Sequence, residues 1–320
     1  LKVADKAIND AGLKKGSNVA VLIAMGAELA SHQYRGRVDL TWQMRRALQT
    51  AGITLSETEE EELKEIAKDA LHYPAKVNQY TSFIGNVIAT RVSALWDFVG
   101  PSFTVSVEEN SIWKALDVAQ ILLASNEADA VVVGAVDLSG GIENVLLRHR
   151  MIQHHTQTSI NNGSPTLSYD QDANGWMVGE GAGAVVLKPQ QQAIAEGDRI
   201  YAVIEAVATA SPKLDSSDLP PASERSLLYD AISAETISKA ASRALEQANI
   251  TDVSQIGYLE VYGSGVANED QAEIEGLLRA YRPDNASDES SNQLDIALGS
   301  AKSNIGHTYC ASGIASLIKT

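Results

Sequence analysis

The stretch that most constrains how this chain can fold is Gly100 to Gln120, GPSFTVSVEENSIWKALDVAQ. Ser102 to Val107 alternates β-branched with small or polar residues and reads as a short strand. It runs straight into a helix whose apolar positions, Ile112, Leu116, Ala119 and Leu123, recur every three or four residues and bury one face. A tight strand-to-helix turn leaves the first helical N–H groups unpaired, so a negative group is welcome there. Enzymes often put a nucleophile at such a turn, where the dipole lowers its pKa and the free N–H groups serve as an oxyanion hole. Here the turn holds Glu108, Glu109 and Asn110. A carboxylate at that place gains roughly 0.3–1 kcal/mol from the helix but is a poor acyl nucleophile.

Length and charge bound what surrounds this turn. The chain has 320 residues, 44% of them hydrophobic, enough for one large α/β unit or two fused halves. Its 25 Lys and Arg against 41 Asp and Glu, a net charge of −16, argue against nucleic-acid or anionic-membrane partners, which need a basic face. No apolar run approaches the roughly 18 residues of a spanning helix, and no signal-peptide pattern is present. The first residues, LKVADKAINDAGL, open inside a helical pattern, which predicts that an upstream portion is missing. A single Cys forbids an intrachain disulfide and suits a reducing cytoplasm. In that compartment Asn285-Ala286-Ser287 is a chance match to a glycosylation acceptor.

Taken in order, the chain alternates strands and helices. A helix over residues 1–13 stops at Gly12, and Asn18 to Met25, NVAVLIAM, is apolar throughout, as buried parallel strands are. Residues 30–79 are charged and helical in pattern, a solvated insertion. Tyr80 to Phe98 is an amphipathic helix leading to the turn, and Ala128 to Val136 another apolar strand, so strands bracket the Glu109 helix as in a crossover unit. Two strand-like pieces, Trp176 to Val178 and Ala184 to Leu187, flank the run Gly179-Glu180-Gly181-Ala182-Gly183. That run lacks the Lys-Ser/Thr and the following helix of a phosphate loop, so close packing between strands explains its glycines. Further on, strands are expected at Ile200 to Ala210, Gly257 to Val261 and Asp295 to Leu298. Helices are expected at Leu228 to Ala248, Glu269 to Tyr281 and Gly306 to Thr320. Two related α/β halves, residues 1–190 and 198–320, are the predicted organisation.

Several of these segments resemble the β-ketoacyl synthases of the thiolase-fold superfamily. GPSFTVSVEENS is similar to that family's nucleophile segment, DANGWMVGEGAGAVVLK to its middle signature, and GSAKSNIGHTYCASG to its C-terminal His motif. LEVYGSGVANEDQAEIEGL is similar to the segment that carries its first catalytic His. The resemblance implies a layered αβαβα fold. It also shows where this chain departs. Glu109 stands where the family has its acyl-accepting Cys, and Tyr262 where it has the first His. His307, Lys302 and Glu180 are retained. The family's condensation needs a thiolate to carry the acyl chain and imidazoles to stabilise developing charge, so no intact catalytic set is expected.

What could substitute is limited. Ser111 lies one step beyond the turn with no second His to activate it, and Cys310 sits on an apolar helix and reads as a core thiol. Decarboxylation of a malonyl group is disfavoured because an ionised Glu109 would repel its carboxylate. The expectation is that Glu109 faces His307, raising the imidazole's pKa and lowering its own. A Cys-less chain of this kind resembles the chain-length factor, and its wording looks most like the Cys-less synthase domains of bacterial polyunsaturated fatty acid synthases. The implied partners are an active ketosynthase and an acyl carrier protein, whose phosphopantetheine arm is handled on the partner's side. No directly bound cofactor or metal is expected. The alternative is an enzyme in its own right, a malonyl-carrier-protein decarboxylase or an acyltransferase. Phe98, Phe103 and Trp113 are either core residues or limits on acyl-chain length. Arg148, His149, Arg150, His154 and His155 form a basic patch, read as a solvated loop or a dock for an acidic carrier protein.

Overall fold

The computed structural model describes residues 1–26, 40–71, 85–138, 140–142, 144–146, 148, 168–173, 175–211, 233–282 and 296–320. Helix α1, Lys2–Asp10, buries Ala4 and Ile8, one turn apart, and gives way to Gly12 at φ +65°. Strand β1, Val19–Ala24, is buried at every position. Helices α2, Leu40–Ala51, and α3, Glu57–Leu71, lie within the charged stretch 30–79 and are joined by the Arg45–Glu60 ion pair at 2.9 Å. Helix α4, Asn86–Trp96, covers the described part of the predicted Tyr80–Phe98 helix and ends on Asp97 at φ +54°.

Strand β2, Ser102–Val105, helix α5, Ser111–Ala124, and strand β3, Ala130–Asp137, follow as the sequence predicts. Strand β4, Gly181–Leu187, completes a sheet ordered β2-β1-β3-β4, in which β1 runs parallel to both neighbours and β4 antiparallel to β3. The crossover from β2 through α5 therefore skips over β1 to reach β3. Successive side chains of a strand point to opposite faces, and β1 and β3 are buried on both. Leu22, Val131 and Val133 pack with Ile112, Leu116 and Ala119 of α5, while Val19, Val21 and Val132 pack with Ile8 and Val92. This double burial is why these strands carry no alternating polar residues.

Beyond α6, Gln190–Glu196, helix α7, Ala234–Gln247, packs on α8, Ala267–Tyr281. Strands β5, Tyr258–Glu260, and β6, Ala297–Gly299, pair in parallel. The predicted last helix is broken into a short helix α9, Lys302–Ile305, a 3₁₀ turn at Tyr309–Ala311 and helix α10, Ser312–Lys319. Gly306, at φ +75°, makes the break. Ile200 to Ala210 is not a strand: it has no ladder partner among the described residues, and Ile204 and Val207 instead rest against the α5 core. Trp176 to Val178 is likewise not a full strand, with one bridge from Val178 to His307.

The glycines of the middle signature are explained by close packing, but the neighbour is the C-terminal segment and not another strand. A Cβ on Gly179 would overlap the Ile305 carbonyl, and one on Gly183 would lie 2.9 Å from Ile314 of α10. Phe98 is a core residue at 7% exposure beside Trp96, whereas Phe103 and Trp113 are half-buried against the α5 cluster.

Candidate functional site

The turn before α5 is closed by Ser111, which is fully buried. Its Oγ accepts from the Val107 N–H at 2.9 Å and donates to the Glu108 carbonyl at 2.5 Å. Glu108 takes a left-handed φ of +52°, a conformation uncommon outside glycine, and this throws Glu109 to the inner side of the turn. With its proton on the Glu108 carbonyl, the Ser111 hydroxyl serves the backbone of the turn. Cys310 lies 3.9 Å from that hydroxyl, fully buried, and burial pushes its thiol up to about 12. The thiolate needed for acyl transfer is therefore suppressed.

Three further segments converge on Glu109. Its Oε1 lies 2.9 Å from His307 Nε2 and 3.4 Å from Tyr262 Oη, and the last two atoms are 3.4 Å apart. Trp176 stands edge-on to the imidazole with centroids 4.6 Å apart. The His307 backbone is clamped to the middle signature, donating to Met177 O at 2.7 Å and accepting from Gly179 N at 3.0 Å. Lys302 sits over the Tyr262 ring at 4.0 Å and donates to the Tyr262 carbonyl at 3.0 Å. Four of the residues singled out from sequence, Glu109, Tyr262, His307 and Lys302, thus meet in one cluster. Glu180 does not join them: it is exposed, and its Oε1 accepts the Gly140 N–H at 2.7 Å, tying down the loop after β3.

The protonation of this cluster follows from its hydrogen bonds. His307 Nδ1 accepts the Tyr309 N–H at 3.1 Å, so the ring proton resides on Nε2 and points at the Glu109 carboxylate. Burial lowers the His307 pKa, and Lys302 and Arg148 act in the same direction. The neighbouring Glu109 opposes that shift without overcoming it. The expectation that the pair raises the imidazole's pKa is therefore corrected. A second ring proton would also have to displace the Tyr309 N–H from Nδ1. Burial likewise lowers the Lys302 pKa against the pull of Glu109, Glu273, Glu260 and Asp270.

Tyr262 is positioned by residues that the sequence motifs do not single out. Glu273 of α8, 6% exposed, accepts from Tyr262 N at 2.7 Å, Gly263 N at 2.8 Å and Tyr169 Oη at 2.8 Å. Asp270, one turn earlier, accepts from Gly265 N at 3.1 Å and Tyr169 N at 2.9 Å. Burial and these carboxylates push the Tyr169 phenol well above its usual range. Burial also raises the pKa of the adjacent Glu269. The available signal was the pair of acids three residues apart just after Gly263-Ser264-Gly265, at the start of a helix.

The reading of the basic patch is corrected at Arg148. Arg148 is 7% exposed and pairs with Asp137 at the end of β3 at 3.3 Å, so it is not a docking surface. His149, Arg150, His154 and His155 lie outside the described residues. Among the described residues no group of three or more His, Cys, Asp or Glu side chains is arranged to hold a metal ion. No described helix is long and apolar enough to cross a membrane.

A layered α/β fold with a helix-capped turn facing a buried imidazole defines the thiolase-like condensing-enzyme class. Comparison with known proteins agrees: the β-ketoacyl synthase N-terminal domain model matches residues 1–193 and the C-terminal domain model residues 222–320. The chain belongs to the β-ketoacyl synthase family. One of the subunits of the polyunsaturated fatty acid synthase of Thraustochytrium sp. is 33% identical over 322 residues, covering 98% of this chain and 14% of that protein. A solved structure described as a PfaC keto synthase–chain length factor is 40% identical with a TM-score of 0.73, covering 99% of this chain and 30% of that one. A type II polyketide ketosynthase solved with its acyl-carrier protein shares the fold at TM-score 0.69 and 19% identity, covering 99% of this chain and 68% of that one. The chain thus spans a minor part of the first two relatives.

Proposed function

We propose that this chain is a non-catalytic ketosynthase-like domain of the chain-length-factor type. In this reading it pairs with an active ketosynthase and shapes the acyl tunnel in polyunsaturated fatty acid biosynthesis. The observation that carries the reading is the Glu109–His307 contact at 2.9 Å, because the donor that would stabilise an acyl oxyanion is already satisfied by a carboxylate. The similarity to part of a polyunsaturated fatty acid synthase and to a keto synthase–chain length factor supports the same assignment. Among the described residues β2 stands at the sheet edge, its Thr104 N–H held by Asn86 Oδ1 at 3.0 Å, and this edge is the side on which the partner is placed in this reading. Phe103 on it and Trp113 in α5 are the bulky side chains available to limit chain length. The acyl carrier protein and its phosphopantetheine arm then act through the active partner, in the reducing cytoplasm that a lone buried thiol suits.

The test is incubation with radiolabelled acyl and malonyl donors, alone and with a Cys-containing ketosynthase. The domain alone should acquire no covalent label and release no carbon dioxide, and the pair should elongate. A thioester or ester on this chain, or carbon dioxide released without the partner, favours the decarboxylase or acyltransferase alternative and ends this reading.

A further inference from the structure

Arg148 is buried yet ill-provided with hydrogen bonds: its Nη1 has no partner among the described residues. What it does have is Asp137 at 3.3 Å and the face of Tyr309, 4.5 Å from the guanidinium carbon to the ring centroid. Tyr309 holds φ at +43°, a left-handed conformation that costs a bulky residue on the order of 1–3 kcal/mol unless its surroundings impose it. That same conformation aims the Tyr309 N–H at His307 Nδ1. The backbone of the turn is also tied by the Ala311 N–H on the Thr308 carbonyl at 2.8 Å and by Ser312, whose N–H and Oγ both meet the Tyr309 carbonyl, the Oγ at 2.6 Å, on the far side of the residue from its N–H.

We infer that Arg148 is a positioning residue for His307, acting through Tyr309. The flat guanidinium, anchored on β3 by Asp137, pins the Tyr309 ring and so keeps the strained turn in place. The N–H then stays on Nδ1, the single ring proton stays on Nε2, and the imidazole remains a neutral donor aimed at Glu109. A Lys would keep the charge for Asp137 but has no planar face to lay on the ring, so the two substitutes are not equivalent. The inference stands whether the Glu109 site is silent or active, so the labelling experiment and the following one fail independently.

The experiment is a ¹⁵N titration of His307 in the whole chain. The groups facing the imidazole are Glu109, Tyr262, Trp176 and Tyr309, with the Lys302 and Arg148 charges acting from further away. In Arg148→Lys the local charge is unchanged and one hydrogen bond that opposes the imidazolium is lost. The proton-binding constant of His307 should rise about tenfold, the worth of one net hydrogen bond. Adding Tyr309→Gly, which adopts positive φ at no steric cost, should return it toward the parent value. A folded Arg148→Lys protein with an unaltered or weakened constant overturns the inference, as does failure of the glycine to restore it. Should Arg148→Lys not fold, Tyr309→Ala approaches the stack from the other side. A rise there supports the relay and an unaltered constant overturns it.

Discussion

The turn before α5 and the loop after β5 end at the same cluster, yet they are held by opposite means. The turn leans on apolar burial: Ser111 and Ile112 are fully buried behind it, and Ile112 sits in the core with Leu22 and Ile314. The loop leans on ions: Glu273 and Asp270 collect the N–H groups of Tyr262, Gly263 and Gly265 in a buried place. The difference shows which side can change chemistry cheaply. On the turn, the anchor is the buried Ser111 hydroxyl on the Val107 and Glu108 backbone, so the Glu109 side chain can change without removing it. On the loop, the anchors bind the backbone itself, so the carboxylates beneath, and not the Tyr262 side chain, hold its course.

The strongest way to break this contrast is to remove each anchor. Glu273→Ala orphans three donors, the Gly263 N–H buried and those of Tyr262 and Tyr169 half-buried, and should cost about 2–4 kcal/mol of unfolding free energy by denaturant titration. Ile112→Ala, the apolar counterpart, should cost about 2–5 kcal/mol, most of it as cavity. A cost below about 1 kcal/mol for either would show that its region is held by something else.

A pH series sharpens the comparison next. The folded pKa of His307 lies below its ordinary 6.5, so between the two values the unfolded chain binds the extra proton. Its contribution to stability is therefore complete above about 6.5 and is lost as pH falls through that window, by at most about 1.4 kcal/mol per pH unit. Glu269, whose pKa burial raises, has the opposite sign: its contribution declines as pH rises above 4.5. Comparison with His307→Gln isolates the imidazole, and the variant should show a flatter acid limb.

Smaller effects complete the series. Tyr169→Phe removes one of the three donors on Glu273 and leaves both backbone N–H groups, for a loss of about 1 kcal/mol. Glu109→Gln keeps an oxygen for His307 Nε2 and gives up a charge that faces His307 and Lys302 near a helix N-terminus. A change within about 1 kcal/mol is expected, and a larger one would make Glu109 an anchor after all.

Legibility in the sequence followed the same division. The strands β1 and β3, the α5 stripe and the strand-to-helix turn were readable because their signals are local: a run of apolar residues, or a spacing of three and four. Glu109, Tyr262, His307 and Lys302 were readable because a family's motif words surround them. Ile200 to Ala210 was misread because local alternation cannot say whether a neighbour exists to complete a ladder. Arg148 was misread because five basic residues within eight look like a surface, while one of them is buried on Asp137 and Tyr309.

By itself, then, the chain's order of residues determined where the sheet core forms, which helix follows which strand, and that an acid stands at the capped turn. Only the tertiary structure decided the state of that acid's partner. Glu109 and His307 are 198 residues apart, and whether burial or the carboxylate governs the imidazole depends on what closes around the ring. Trp176, Tyr262 and the Tyr309 N–H close around it, and for a charge taken out of water that enclosure outweighs one neighbouring ion.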